Sequence, residues 1–575
     1  MCGIAGIISE NPNSAIVLQE MLAAQKHRGP DHTGFFEDQG FACIGHNRLS
    51  IIDTSSNANQ PFKDPSGRFI LTFNGEIYNY KELKNRVQNY NFKTTSDTEV
   101  LLALYLQYGK DCLQLLNGMF SFAIWDTKNK KLFAARDRFG VKPFYYSEEN
   151  KFRFSSEIKA LNLHQKTEPN KKVWSSYFLY GSYGMPDETF YSGIKQLPAG
   201  HYLDYDFSSE ILTTTKWYNF EERIKSKNST KNLINLKEEY LELLKDSIKL
   251  RFRADVPLAF NLSGGVDSSL LLDLVDSFRP DADINAFTFY TGDKKYDELP
   301  WVEEMIRQTN KPLQKVKLSV KEIQDLSLKI SKHQDEPFGG IPTLAYSKIF
   351  KNASEQGIKV LLDGQGMDEQ WAGYDYYLNQ QNQTIQGLKK GSSAFKKEVI
   401  EKKFQALATK PVYPTPFESK IQNTQYRDLF YTKLPRALRF NDRISMAYST
   451  ELREPFLDYR LVELAFSAKD EYKINGNSTK HTLRQIAAEF IPKNTSYAPK
   501  RPLQTPQREW IGNDLKDWVT TEIEHLKHSI FSEWFDHRSL KLEWESYLNG
   551  NNQNSFYIWQ WVNTALLISK FDDFE

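Results

Sequence analysis

The sequence predicts two domains, a first that packs helices over antiparallel sheet (α+β) and a second built on a parallel sheet with crossover helices (α/β). Three observations predict this. Short aromatic or β-branched runs separated by polar turns dominate the first part, a polar stretch from Glu221 to Asn235 interrupts them, and beyond it buried-type apolar runs alternate with helical segments. In order, Phe69–Phe73, Phe120–Trp125, Lys131–Ala135, Pro143–Tyr146 and Phe152–Phe154 read as strands, with turns such as Thr127–Lys130 between them. Helices are expected at about Ala15 to Gln25 and at Thr98 to Tyr108, where Val100, Leu101, Leu104 and Tyr105 recur at helical spacing. After the polar stretch, Val256–Leu262, Ile284–Phe289 and Lys359–Leu362 read as strands buried on both faces. The boundaries that follow are a first domain at 1–220, a linker at 221–235 and a second domain at 236–575. The Gln/Asn-rich and then Lys-rich segment 379–403 reads as a solvated helix or surface insertion.

The chain has 575 residues, with 74 Lys+Arg against 73 Asp+Glu and a formal charge of +1. Such balance argues against nucleic acid or a membrane surface as a partner. With 40% apolar and 14% aromatic residues there is ample material for sizeable cores, which excludes disorder as the main state. The three cysteines, Cys2, Cys43 and Cys112, form neither a disulfide framework nor zinc-ligand spacing. No apolar run approaches the roughly 18 to 20 residues of a membrane span, and no basic segment precedes the short apolar start. A cytoplasmic protein with its mature N-terminus at or next to residue 1 is the expectation.

Initiator methionine is commonly removed before a small residue, which leaves Cys2 with both a thiol and a free α-amine. The amine titrates at about 7.7 to 8.0 and the thiol at about 8.5, so the amine can serve as base for its own nucleophile. Around this pair the sequence offers Asn74-Gly75-Glu76 directly after a strand, Arg48, and Asp97. An Asn amide and a Gly N–H can form a two-donor oxyanion hole. Arg48 can hold a carboxylate through paired N–H bonds, and Glu76 and Asp97 can hold an ammonium. Together they describe a pocket for a free α-amino acid.

The segments Met1–Gly6, His27-Arg-Gly-Pro-Asp31, Arg48-Leu-Ser50, Asn74-Gly-Glu-Ile-Tyr-Asn79 and Arg136-Asp-Arg-Phe-Gly-Val-Lys-Pro143 resemble the glutaminase domain of class II glutamine amidotransferases, which are N-terminal nucleophile hydrolases. The resemblance implies an αββα sandwich in which Cys2 attacks the glutamine side-chain amide. By the same resemblance Asn74 and Gly75 hold the oxyanion, Arg48 the glutamine carboxylate, and Glu76 and Asp97 its α-amine.

In the second part, Leu262-Ser263-Gly264-Gly265-Val266-Asp267-Ser268 follows an apolar strand and leads into a helix. Consecutive glycines let backbone N–H groups approach an anion, and the helix start adds unpaired donors. No GxxxxGK[ST] motif is present, so the usual phosphate loop is absent. A second acidic turn, Asp363-Gly364-Gln365-Gly366-Met367-Asp368-Glu369, follows another strand, and in parallel sheets ligands sit at such strand ends. Asp267 and Asp368 could hold Mg²⁺ against phosphates. The Ser-Gly-Gly-Val-Asp-Ser run resembles the loop of enzymes that cleave ATP to AMP and pyrophosphate, which implies adenylation of a carboxylate.

Both sites in one chain, with Lys480 in Ser478–Arg484 and Arg453 in Glu451–Asp458, resemble glutamine-hydrolysing asparagine synthetases across nearly the whole length. The resemblance implies glutamine, ATP with Mg²⁺, and a carboxylate acceptor, aspartate first, as partners, and a homodimer. It puts Ser263, Ser268, Asp363, Gly364 and Lys480 with Leu262, Gly264, Gly265 and Asp267 in the ATP site, and Arg453 at the acceptor pocket. It also implies an internal apolar passage for ammonia, since water destroys an acyl-adenylate. Other members of this chemistry amidate sugar uronates, cell-wall peptides or antibiotic precursors. One departure stands out: Gln365 occupies a position where many relatives carry a proton-handling Glu, and Glu336, Glu369 or the departing pyrophosphate are the substitutes considered.

Overall fold

A computed structural model describes residues 2–149, 151–164, 168–227, 232–278, 284–378, 394–499 and 504–572. In the first part, six strands pair in the spatial order Ile194–Gln196, Tyr145–Ser147, Phe152–Ser155, Gly3–Ile8, Ala42–Arg48 and His32–Asp38, all antiparallel. A second antiparallel sheet runs Ile211–Lys216, His201–Asp206, Lys131–Arg136, Gly118–Asp126, Phe69–Ile77 and Phe62–Lys63.

Strand alternation decides how these layers stack. Ile4, Ile8 and Ile44 of the first sheet share a core with Ile70, Trp125, Leu132 and Leu203 of the second. The intervening residues Ala5, Ile7 and Cys43 turn outward onto Leu18, Met21 and Leu22 of the helix Ser14–Ala24. On the far side Leu71, Phe73 and Phe122 meet Val100, Leu101 and Leu104 of the helix Asp97–Tyr108. The result is the expected helix–sheet–sheet–helix sandwich. Cys2 stands at the head of Gly3–Ile8, a strand in the interior of its sheet.

The second part carries a parallel sheet in the order Leu313–Lys317, Ala286–Tyr290, Leu258–Asn261, Val360–Leu362 and Glu451–Arg453. The chain first builds outward from Leu258–Asn261 and then returns to its other side, so the order reverses between Leu258–Asn261 and Val360–Leu362. A crevice forms at the carboxyl ends of strands at such a reversal.

Three expectations are corrected. The strand that begins at Phe69 does not stop at Phe73 but runs to Ile77, pairing Asn74 with Ser121, Gly75 with Phe120 and Glu76 with Met119. It can do so because residue 75 has no side chain: a Cβ there would lie 2.1 Å from the Met119 carbonyl oxygen. The linker 221–235 is not a free tether, because Phe220–Ser226 and Leu233–Arg251 are helices on either side of residues outside the description. On one side of Phe220–Ser226, Arg223 and Lys227 bind the buried Glu463 of the second part. On the other face Phe220 packs against Tyr426, Phe430 and Phe466. Burying one such ring is worth about 1.5–3 kcal/mol, enough to fix the segment. Within 379–403, residues 379–393 lie outside the description; Lys397, Glu398, Lys402 and Lys403 are exposed as expected, but Val399 and Ile400 are buried, and just past the segment Phe404 stacks on Trp534 at 4.5 Å. Among the described residues no helix is long and apolar enough to cross a membrane.

Candidate active sites

The first site is a tight cleft of about 20 Å³ lined by Cys2, Arg48, Leu49, Gly75, Glu76 and Asp97 with their neighbours. The Cys2 backbone N–H donates to Asn74 Oδ1 at 2.9 Å, which turns the amide so that its nitrogen is left over. That Asn74 Nδ2 is buried with no protein partner. Burial pushes the Cys2 thiol up, opposed by the positive charge of the chain terminus, so the thiol needs a base to ionise near neutrality.

Across the cleft, Asp97 opens its helix and accepts the Ile77 N–H at 2.9 Å, while burial lifts it to about 6. Glu76 is also lifted above the usual carboxylate range, by burial and then by the Glu451 and Asp97 carboxylates, and its Oε2 has no partner. Arg48 is held in place by the Ser55 carbonyl at 2.6 Å, Asn59 Oδ1 at 2.8 Å and the Asp53 carbonyl. An unused buried donor at Asn74 and an unused buried acceptor at Glu76 thus flank one thiol. Buried polar groups without partners are costly, and a ligand carrying both an amide oxygen and an ammonium would satisfy them.

The second site is a crevice of about 250 Å³ at the sheet reversal. The run Leu262–Ser268 lines it, with Asp363, Gly364, Gln365, Asp368 and Lys480. Gly264 takes the left-handed φ of +67° that the loop needs, and Ser263 N–H donates to Ser268 Oγ at 3.2 Å, closing the loop over the start of the helix Val266–Phe278. Lys480 Nζ lies 2.6 Å from Asp267 Oδ2 and 2.7 Å from Asp368 Oδ1. Two carboxylates that reach one ammonium can equally reach one divalent cation, whose remaining ligands would be phosphate oxygens and water.

The structure also shows residues that sequence reasoning missed. A Cβ on Gly373 would lie 2.0 Å from Asp368 Oδ1 and 2.3 Å from Lys480 Cε, so this glycine makes room for the charged triad. Asn261, Tyr346 and Asn441 line the crevice, and Asn261 Nδ2 donates to the Tyr346 hydroxyl at 2.6 Å. Glu454 follows the strand Glu451–Arg453 beside Asp363, and burial raises it to about 8, with the Asp363 charge adding to the effect and Lys142 opposing it. A chemically silent Gly-Tyr dipeptide and an Asn inside a helix carry no motif by which they could be found.

Two placements differ from expectation. Arg453 does not line the crevice. Its guanidinium is fully buried, bound to Glu451 at 2.6 Å and to the Arg251 and Arg253 carbonyls at 2.7 and 2.8 Å, with Nη2 3.6 Å from Glu76 Oε1 of the first site. Strand alternation is the reason: Arg453 shares a face with Glu451, and that face looks toward the first domain. Glu336 is also elsewhere, accepting from Phe190 N–H at 3.0 Å and Arg439 at 2.9 Å. Glu369 is buried beside Asp368, lifted to about 7 by burial, and accepts from the Tyr374 hydroxyl at 2.6 Å.

The family described as glutamine amidotransferase domain matches residues 1–218, and that described as asparagine synthase matches residues 239–569. A glutamine-hydrolysing asparagine synthetase 1 of Bacillus subtilis (strain 168) is 30% identical over 92% of this chain and 91% of its own length. Synthetase 2 of the same organism is 32% identical over 93% of this chain and 76% of its own. A Gibberella zeae protein named amidase chry2 is 26% identical over 93% of each.

Proposed function

The chain belongs to the asparagine synthase family, carries out glutamine-dependent, ATP-driven amidation, and, we propose, uses aspartate as its acceptor to make asparagine, glutamate, AMP and pyrophosphate. The observation that carries this reading is the Asp267–Lys480–Asp368 cluster at the mouth of the Ser-Gly-Gly loop in a chain that also holds the Cys2 cleft.

In the first half-reaction the Cys2 α-amine takes the thiol proton and Sγ attacks the glutamine amide carbon. Asn74 Nδ2 and the Gly75 N–H receive the oxyanion; the C–N bond breaks, ammonia leaves with the proton, and water cleaves the thioester to glutamate. Glu76 and Asp97 hold the α-ammonium and Arg48 the carboxylate. In the second, a β-carboxylate oxygen of aspartate attacks the α-phosphorus of ATP, the bond to pyrophosphate breaks, and an acyl-adenylate forms. Lys480 and the N–H groups of Gly264 to Ser268 bind the phosphates. Mg²⁺ held by Asp267 and Asp368 would neutralise phosphate charge. Ammonia then attacks the acyl carbon and AMP leaves. Gln365 cannot take the proton shed in that step, whereas the departing pyrophosphate can.

One observation favours a second acceptor. Gln365 lines the crevice as a neutral side chain where many relatives carry an acid, so a carboxylate other than aspartate is the alternative. Product analysis with glutamine, ATP and Mg²⁺ separates the two. Asparagine formed in step with AMP from aspartate supports the first; glutamate without AMP or asparagine, and AMP only with another carboxylate, supports the second.

A further inference from the structure

Arg439, Asp442 and Arg443 are spaced i, i+3 and i+4 on the helix Lys433–Met446, so they share one face. Opposite that face stand Arg136, Tyr145 and Gln196, each at the end of a strand of the first domain. Between them the contact does not close. A cavity of about 10 Å³ remains, lined by these six residues with Gly140, Val141 and Pro143.

The walls of this cavity carry more positive charge than they neutralise. Arg136 spends its guanidinium on the carbonyls of Lys142 at 2.7 Å, Leu197 at 2.7 Å and Gly140 at 2.8 Å, and is paired with no carboxylate among the described residues. Arg439 reaches Glu336 at 2.9 Å and the Pro337 carbonyl at 3.1 Å, which leaves its Nε over. Arg443 makes its polar contacts through Nη1, to the Ser156 carbonyl at 2.9 Å, Glu157 at 3.4 Å and Asp442 at 3.6 Å. Asp442, the single carboxylate in the lining, is already taken by Arg28 through two bonds at 2.8 and 3.1 Å. Four buried atoms are then left without a protein partner: Arg439 Nε, Arg443 Nε and Nη2, and the Tyr145 hydroxyl. Arg443 is 1% exposed and Tyr145 0%.

All four are N–H or O–H groups, and a guanidinium can only donate. Buried donors without an acceptor are costly, and buried positive charge without a counter-charge is costlier. A water molecule accepts two hydrogen bonds and brings two hydrogens that need acceptors of their own, whereas a monatomic anion accepts from every side and supplies the missing charge. Size narrows the choice further: about 10 Å³ holds about one water-sized particle, too little for a carboxylate, phosphate or sulfate. We propose that this cavity is a halide site, filled by one chloride ion that Arg439, Arg443 and Tyr145 hold and that joins the two domains. The site takes part in neither half-reaction and is the same whichever carboxylate is amidated.

Two measurements on the full chain test this. Crystals soaked in bromide should show one anomalous peak in the cavity, between Arg439, Arg443 and Tyr145. In solution, replacing gluconate by chloride at constant ionic strength should raise the melting temperature by about 2 °C or more along a saturating curve, as binding to the folded state alone requires. Tyr145→Phe removes one donor and should raise the half-saturating chloride concentration roughly tenfold, in keeping with the loss of a hydrogen bond to a charged group. Arg439→Lys keeps a charge opposite Glu336 but lacks the Nε donor, and it should do the same should Tyr145→Phe not fold. A merely structural role for these side chains would lower melting equally in both salts and leave that concentration unmoved, which overturns the site. Water without anomalous signal in the cavity overturns it as well, and a bromide peak without a saturating shift marks an adventitious ion only, with the same consequence.

Discussion

The cleft at Cys2 and the crevice at Ser263–Ser268 solve opposite electrostatic problems. The cleft keeps charges and dipoles unmatched: Asn74 Nδ2 and Glu76 Oε2 are buried without partners, and Asp97 and Glu76 crowd their like charges together. The crevice matches its charges internally, Lys480 standing between Asp267 and Asp368. The smaller cleft can be built as the mould of one amino acid, with the ligand supplying the missing partners. A larger crevice, of about 250 Å³, that must admit a polyanion, lose pyrophosphate and admit ammonia rests with its lysine paired to carboxylates that a cation can take over. Specificity is therefore stored as unsatisfied groups in one place and as exchangeable pairs in the other.

The sharpest way to break this contrast is to remove the nucleophile. Cys2→Ala should cut glutamine-dependent synthesis by about 10⁴-fold or more while ammonia-driven synthesis continues, as measured by amide formed from either nitrogen source. Lys480→Ala should do the reverse, lowering AMP formation by roughly 10³-fold with glutamate release retained, because it leaves two carboxylates facing the incoming phosphates. Asn74→Ala should cost roughly 10²-fold in glutaminase kcat, the usual loss for one oxyanion donor, with AMP formation from ammonia unaffected. The smallest effect sharpens the contrast by titration. Asp97, raised to about 6, must be ionised to hold an ammonium, so kcat/KM for glutamine should fall about tenfold for each unit below about pH 6, and Asp97→Asn should flatten that limb. Glu76, Glu451 and Arg453 face the same group and set where the limb lies, whereas AMP formation from ammonia at fixed free NH₃ should not follow it.

Legibility followed chemistry rather than burial. Cys2, Asn74, Asp267, Asp368 and Lys480 were readable because each has a reactive or charged group within a run whose neighbours share its task, and the structure gathers each set. Arg453 was misplaced because a motif gives no sense of which strand face a side chain takes, and here the face is fixed by pairing of Leu362 with Arg453 in the parallel sheet. Gly373, Asn441 and Glu454 were invisible since their roles arise from what the fold sets against them: a lysine stem, a crevice wall, a second carboxylate. The strand beyond Phe73 was missed because Asn-Gly reads as a turn, and only the Met119 carbonyl packed over Gly75 shows why glycine there continues a strand.

The aromatic seam in which Phe220 meets Tyr426, Phe430 and Phe466 has a consequence for dividing the chain. A gene fragment ending near residue 218 would encode a sandwich stripped of its seam partners, and one beginning near residue 239 would expose three rings to water. Cutting the chain at that junction therefore yields two halves that each carry newly exposed apolar surface, and each is expected to be less soluble than the whole chain.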